Sequence, residues 1–404
     1  VLTESPAGLS WPLWEVEAMG APASREEISQ PRTRHPHPVS FTGVGDPRQF
    51  PLKEFSKTMQ AVLRRDGVSA LEYGAFDGGY SPLRETVTHV LASQGIQAHP
   101  QEVLITSGSQ QALALVCQVL LKPGDAVLVE KPTYNLALEL FHALGLKILG
   151  APMDESGMQV EGLEPLLQQS HPKLIYTIPN FQNPSGACLS GPRRRQLLAL
   201  ADRYNVPILE DDFVGDLRYE GRAQPAIKAL DSGGRVIYVG TFSKMLMPGL
   251  RVGYLLATGP IFERLAREKR VQDLTTSPLM QRALDMYVTV GRYQAHLRRS
   301  TRLYRARRDA MLAAIRSHLP GVTVSAPQGG LFLWLKLPEG VSSLKLLPLA
   351  LEAGVEFAPG TRFFANSAEG KPFLRLNFAP RTEDEIDAGI RRLREALDLL
   401  AVQR

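Results

Sequence analysis

The sequence predicts an α/β fold, with a seven-stranded, mainly parallel sheet in a large domain and a smaller α+β domain beside it. Three observations carry this. Seven apolar runs of strand length alternate with helical segments between residues 103 and 257, the pattern of a sheet with helices on both faces. Beyond about residue 285 the texture changes to a long basic helix, an alternating stretch and a final amphipathic helix. The 404 residues, 44% hydrophobic and 22% charged, are enough for more than one domain of roughly 100 to 200 residues, which excludes a disordered, fibrous or disulfide-stapled chain.

Taken in order, residues 1–38 are rich in Pro, Ser, Glu and Arg, include PRTRHPHP, and show no sustained period, so they read as an arm or linker. The large domain is expected over 50–285, and the small one over 39–49 plus 286–404. The strand runs are VLIT (103–106), AVLV (126–129), KILG (147–150), KLIYTI (173–178), VPILE (206–210), VIYVG (236–240) and GYLLA (253–257). In the basic helix around HLRRSTRLYRARRDAMLAAI (296–315), Leu297, Tyr304, Met311 and Ile315 form one apolar stripe. Its arginines are therefore expected outside, on a solvated face rather than a nucleic-acid patch. LFLWLKL (331–337) alternates like a strand, and a last amphipathic helix starts at Glu383.

Charge and cysteine content exclude several function classes. Forty-six basic against 41 acidic side chains leave only +5 over a long chain, no signature of a polyanion binder. Cys117 and Cys188 lack CxxC spacing, which fits a reducing compartment and argues against a disulfide framework or a zinc site; no metal is expected. The longest apolar run, near 112–121, is too short to span a bilayer, and the N-terminal residues do not resemble a signal peptide. A soluble, cytoplasmic protein is expected. The chain opens on Val1 rather than Met, which fits a processed or trimmed product.

In an open parallel sheet, ligands collect outside the carboxyl ends of the strands, so polar residues just after the runs are the ones to inspect. After VLIT, Ser107, Gly108 and Ser109 turn into a helix whose free N–H groups would hold a phosphate, although a Ser/Gly start is often only a cap. After KLIYTI, Asn180 and Asn183 sit in a turn stiffened by Pro179 and Pro184. After VPILE come Asp211 and Asp212; a buried acid there would need a cationic partner. After VIYVG, Lys244 stands in an apolar setting beside Thr241 and Ser243, with Arg251 one to two helical turns further on. Desolvation lowers the proton affinity of such an amine and leaves a nucleophile suited to condense with an aldehyde. A phosphate cradle, a buried acid and an amine on one side of one sheet describe a pyridoxal phosphate site.

The blocks TSGSQQAL, KPTY, PNFQNPSG, ILEDD and TFSKMLMPGLRVGY resemble, in order and spacing, the fold type I pyridoxal phosphate aminotransferases of class I/II, nearest to the kynurenine/α-aminoadipate aminotransferase group. The resemblance runs from about Val39 to the end of the chain. It implies that Lys244 is the lysine that binds the cofactor covalently, Asp211 the acid on the pyridine nitrogen, Asn183 the donor to the phenolic oxygen, and Tyr134 the aromatic stacked on the ring. Ser109, Gln110, Ser243 and Arg251 match the phosphate-binding set, where a guanidinium can take two oxygens at once. Tyr73 in LEYGAFDGGY resembles a tyrosine that reaches the phosphate of the neighbouring subunit, implying a homodimer with shared active sites. Arg375 in FLRLNF matches the clamp on the substrate α-carboxylate, and Gly43 lies in the part that lines the substrate pocket. Many members carry a tyrosine three residues after the acid, whereas Phe213, Val214 and Gly215 follow here, so the phenolic oxygen keeps Asn183 as its donor from the protein.

The activity implied is amino transfer from an L-amino acid to a 2-oxo acid, 2-oxoglutarate in the first instance. A second family competes. LRYEGRAQPAIKALDSGGRVIYVGTFSKMLMPGLRVGYL and HLRRSTRLYRARRDAM also resemble the aminotransferase-like effector domain of MocR-like, GntR-type transcription regulators, which bind the same cofactor as a signal. A proline-rich arm beginning at Val1 suits a linker behind a DNA-binding domain, and nucleic acid is expected as a partner only if such a domain exists upstream.

Overall fold

The computed structural model describes residues 35–43, 45–74 and 76–402, together with the strands Thr3–Glu4 and Ser10–Trp11, which pair antiparallel. The arm expected over 1–38 lies for the most part outside the described residues. The large sheet is built from β1 (Val103–Thr106), β2 (Ala126–Lys131), β3 (Lys147–Asp154), β4 (Gly157–Met158), β5 (Leu174–Thr177), β6 (Ile208–Asp212), β7 (Val236–Thr241) and β8 (Gly253–Leu256), in the spatial order β1-β8-β7-β6-β5-β2-β3-β4. All seven expected runs are strands of this sheet. The eighth, β4, is a two-residue return of the chain onto the end of β3, too short to stand out as an apolar run.

Strands β7, β6, β5, β2 and β3 run parallel, while β8 lies antiparallel to both β7 and β1. Two reversals restore the direction, so β1, β2, β5, β6 and β7 all end on one edge. Alternate residues of the same strand enter two separate cores: Val127, Val129, Tyr176 and Leu209 one, Leu128, Ile175 and Ile208 the other. Burial on both faces is why these strands read as continuous apolar runs. The ladder of β6 continues as far as Asp212, which pairs with Gly240, so Asp211 and Asp212 belong to the strand itself and not to a loop behind it.

The C-terminal sheet, β9 (Thr323–Val324), β10 (Phe332–Lys336), β11 (Ala358–Pro359) and β12 (Phe373–Asn377), is antiparallel in the order β9-β10-β12-β11. The short strand Val39–Ser40 pairs parallel with Val355–Glu356, which ties residues 39–40 to this part of the chain. The helices that bear on the site and its surroundings include α1 (Ser109–Leu120), which follows β1, and α2 (Arg292–His318), which packs on the last helix, α3 (Glu383–Val402).

On α2, Tyr304, Met311 and Ile315 are buried and Leu297 is half-buried, as the stripe requires. The expectation that its arginines all face solvent is corrected for two of them. Arg307 is buried against Asp46 at 2.9 Å and donates to the Ala379 carbonyl; Arg308 is buried, donating to Glu220 at 2.6 Å and to the Pro327 carbonyl at 2.7 Å. A helical wheel finds the apolar stripe but not a flank covered by polar loops remote in sequence.

Candidate active site

The cradle starts where β1 ends. Gly108 adopts φ +98°, a conformation strained for any side chain, and Arg251 lies across it: a Cβ on Gly108 would sit 2.7 Å from Arg251 Nη2. A Cβ on Gly253 would meet the Gly108 backbone at 2.8 Å. Both glycines are thus required by close approach. Arg251 Nη2 donates to the Ser107 carbonyl at 2.8 Å, which holds the guanidinium over the start of α1, where the first N–H groups have no partner within the helix. Arg251 itself has φ +50° behind the 3-10 turn Pro248–Leu250. The helical spacing expected between Lys244 and Arg251 is therefore corrected: a turn containing Pro248 and Gly249 carries Arg251 to the cradle.

Ser243 is buried with its Oγ lacking a hydrogen-bond partner, and Ser109 is half-buried at the first position of α1. The Gln110 side chain donates from Nε2 to the Leu136 carbonyl at 3.4 Å, and its Oε1 is buried without a partner. Ser107, in contrast, is tied away from it, donating from Oγ to Asp273 at 3.1 Å.

Asp211 is buried, and its partner is neutral: Tyr176 Oη donates to Oδ2 at 2.8 Å. The hydrogen-bond partner is a hydroxyl, because parallel pairing of β5 and β6 brings Tyr176 to the same face, while the expected cation, Lys244, acts on Asp211 through its charge alone. Oδ1 of Asp211 is buried with no partner. Burial pushes the carboxyl up to about 7; the Tyr176 hydrogen bond and the Lys244 charge oppose that rise, and the neighbouring Asp212 adds to it. The Lys244 ammonium is pushed down to about 8, first by burial, then by the positive charges of Arg375 and Arg251, against the pull of Asp211. Tyr134 feels Asp211, Arg375 and Arg251 as well, and burial holds its hydroxyl well above the ordinary range. Lys244, Asp211, Tyr134, Arg251 and Arg375 therefore share one electrostatic environment.

Arg375, on β12, crosses from the C-terminal sheet into this environment. Its Nη1 donates to Asn183 Oδ1 at 2.8 Å, its guanidinium lies over Phe332 at 4.1 Å and Phe363 at 4.9 Å, and its Nε is buried without a partner. With Oδ1 of Asn183 so engaged, its Nδ2 is the atom left to donate. Phe213, standing near where a tyrosine is common, packs on Phe332 at 6.2 Å. Gly43 is exposed, at φ +84°, and its carbonyl accepts from Asn377 Nδ2 at 2.9 Å, two residues beyond Arg375. Tyr73 is 67% exposed and packs near Phe76 at 6.4 Å.

Several residues of the site escaped the motif reasoning. Besides Tyr176, the buried Glu130 accepts from Thr177 Oγ1, the Ile178 N–H and Gln182 Nε2, while Gln182 also donates to the Pro132 carbonyl, which joins the loops bearing Tyr134 and Asn183. Arg194 is buried and donates to the carbonyls of Pro179, Leu189 and Pro225 and to Asn180 Oδ1, fastening the Asn183 loop from behind. None stands at the end of an apolar run except Glu130, whose position before KPTY was the available signal.

The orphaned Asp211 Oδ1, the unpartnered Ser243 Oγ, the glycine cradle under Arg251 and an amine of lowered proton affinity fit a phosphorylated pyridine aldehyde. Comparison with known proteins agrees. The sequence profile of the family described as aminotransferase class I and II matches residues 42–393. The chain belongs to this family. It is similar to the kynurenine aminotransferase of Pyrococcus horikoshii, solved with PMP, at 39% identity and TM-score 0.87 over 95% of this chain and 96% of that one. It is similar to LysN, the α-aminoadipate aminotransferase of Thermus thermophilus, solved with N-(5'-phosphopyridoxyl)-L-leucine, at 37% identity and TM-score 0.86 over 91% and 94%. It also matches the uncharacterized HTH-type transcriptional regulator YdfD of Bacillus subtilis, at 34% identity over 84% of this chain and 70% of that protein. The chain is a pyridoxal phosphate-dependent aminotransferase of fold type I. No helix among the described residues is long and apolar enough to cross a membrane.

Proposed function

We propose that this aminotransferase works through Lys244, Asp211, Asn183, Tyr134 and Arg375 in the roles their positions support, on amino donors of the kynurenine and 2-aminoadipate type with 2-oxoglutarate as acceptor. The observation that carries the reading is the convergence of the Gly108–Arg251 cradle and the buried, unpartnered Ser243 Oγ and Asp211 Oδ1 with Lys244, whose amine is pushed toward its neutral form by burial and by the charges of Arg375 and Arg251. Pyridoxal phosphate, when bound, supplies an aldehyde for the amine and a ring that takes up the electron pair left on the substrate Cα.

The phosphate would be held by the first N–H groups of α1, Ser109, Ser243 Oγ and the Arg251 guanidinium. Tyr134 would cover one face of the ring, Asn183 Nδ2 would donate to its phenolic oxygen, and Asp211 Oδ1 would face its nitrogen. At pH 7 an amine with a pKa of about 8 is unprotonated in about a tenth of molecules, enough to act as nucleophile without a separate base. Lys244 Nζ would take the proton from the substrate Cα and return it elsewhere. Arg375 orients the substrate by its α-carboxylate, with Nη1 pinned by Asn183 and Nε free to donate.

A homodimer belongs to the same reading. Val68, Leu71, Tyr73 and Phe76 are exposed, and Leu274 lines a small cavity with Phe76, giving an apolar edge around the residue that would cross to the second subunit. The sequence match to YdfD keeps a second reading, a sensor that binds the cofactor without turnover. Cofactor-loaded protein is mixed with L-kynurenine, L-2-aminoadipate, L-phenylalanine or L-leucine and 2-oxoglutarate, with glutamate as the product measured. Glutamate is expected with the first two; no glutamate from any donor refutes the catalytic reading and leaves the sensor.

A further inference from the structure

Tyr176 lies inside β5, fully buried, and neither the phosphate cradle nor the substrate clamp uses it. The register of β5 on β6 sets it opposite Leu209, so Asp211, two residues on, is its diagonal neighbour on the same face. Its Oη reaches Asp211 Oδ2 at 2.8 Å. The ring is held in place by Phe141, edge to face at 5.6 Å and 75°, and by Val129 opposite it on β2. Asp211 thus has one oxygen engaged by a rigid donor and one, Oδ1, buried with nothing bonded to it.

We infer that Tyr176 is a positioning residue: by occupying Oδ2 it fixes the Asp211 carboxylate so that Oδ1 is the oxygen presented to the cofactor's ring nitrogen. The inference rests on the reading of Asp211 as the acid at that nitrogen. A hydroxyl suits the task better than a cation. It orients the carboxylate and eases its ionisation, yet leaves its full charge to act on the ring. Burial keeps the Tyr176 hydroxyl well above its ordinary pKa, so it stays a donor throughout the working range.

The test uses the full chain. Tyr176→Phe keeps the ring and the Phe141 contact and removes Oη alone. Loss of one hydrogen bond to a charged group is expected to weaken uptake of pyridoxal phosphate by the apo protein about tenfold. It is also expected to move the acid limb of the kcat/KM profile to higher pH, because Asp211 loses the donor that favours its ionised form. KM for the amino acid stays within about twofold, since Arg375 and Asn183 are untouched. In an Asp211→Asn background the same change adds nothing to either readout.

A folded Tyr176→Phe protein with parent affinity and parent pH profile, beside an impaired Asp211→Asn, overturns the inference and spares the reading of Asp211. A parent-like Asp211→Asn removes that reading and the inference with it. Should Tyr176→Phe not fold, 3-fluorotyrosine placed at 176 is a stronger donor of nearly the same size; the acid limb then moves to lower pH, and an unmoved limb overturns the inference.

Discussion

Replacing Arg375 by lysine keeps the positive charge and removes the planar fork. In the structure the guanidinium uses Nη1 on Asn183 Oδ1 at 2.8 Å, keeps Nε unpartnered, and lies against the rings of Phe332 and Phe363 at 4.1 and 4.9 Å. A lysine ammonium is a point donor: it can hold Asn183 or one carboxylate oxygen, but not Asn183 and both oxygens, and it stacks poorly on the two rings. One hydrogen bond to a charged group is lost, about 2 kcal/mol, which corresponds to about thirtyfold in affinity. The assay is titration of cofactor-loaded Arg375→Lys with the amino acid, read by the absorbance change of the bound cofactor. Cofactor uptake stays near the parent value, because the phosphate cradle does not involve Arg375 and, before the amino acid arrives, the lysine ammonium can still donate to Asn183 Oδ1. Amino acid affinity within about threefold of the parent would refute the reasoning.

Three further outcomes are expected. Asp211 is raised in the fold from 3.8 to about 7, so the folded protein holds this proton longer than the unfolded chain and loses stability as pH rises between those values; apo Asp211→Asn should therefore be more stable than the parent above about pH 7 and indistinguishable from it below about pH 4, in urea melts at both ends. Equal stability at about pH 8 contradicts this. Gly108→Ala drives a Cβ to 2.7 Å from Arg251 Nη2 at φ +98°, and should weaken pyridoxal phosphate binding tenfold or more through about 1–3 kcal/mol of strain; equilibrium titration with unchanged affinity speaks against the cradle. Arg307→Met removes the donor to the buried Asp46 Oδ2 while Arg48 Nε still reaches Oδ1 at 2.9 Å, and should cost about 1–3 kcal/mol in chemical denaturation, whereas no measurable loss contradicts a buried pair.

The large sheet was legible because burial on both faces forces each parallel strand to be an unbroken apolar run, and all seven runs fold as read. The placement of Lys244, Asp211, Asn183 and Ser109 beyond or at the ends of those runs was legible for the same reason. Arg375 came only through resemblance, since it stands on a strand of the C-terminal sheet 131 residues after Lys244, and periodicity says nothing of which remote arginine enters the site. Tyr176 read as one more apolar residue in KLIYTI. Its hydroxyl gained meaning from strand register, a property of two segments and not of either.

Local order in this chain follows from residue pattern: short runs become strands, glycine and proline punctuate them, and a lysine among apolar neighbours marks an amine with little water. Which oxygen of Asp211 is occupied, which arginines of α2 are buried and how Arg375 meets Asn183 were settled by packing alone. The reason is physical. Hydrogen bonds of 2.8–2.9 Å between residues 35 to 261 positions apart depend on backbone placement in three dimensions, and many sequences share the pattern without sharing those contacts.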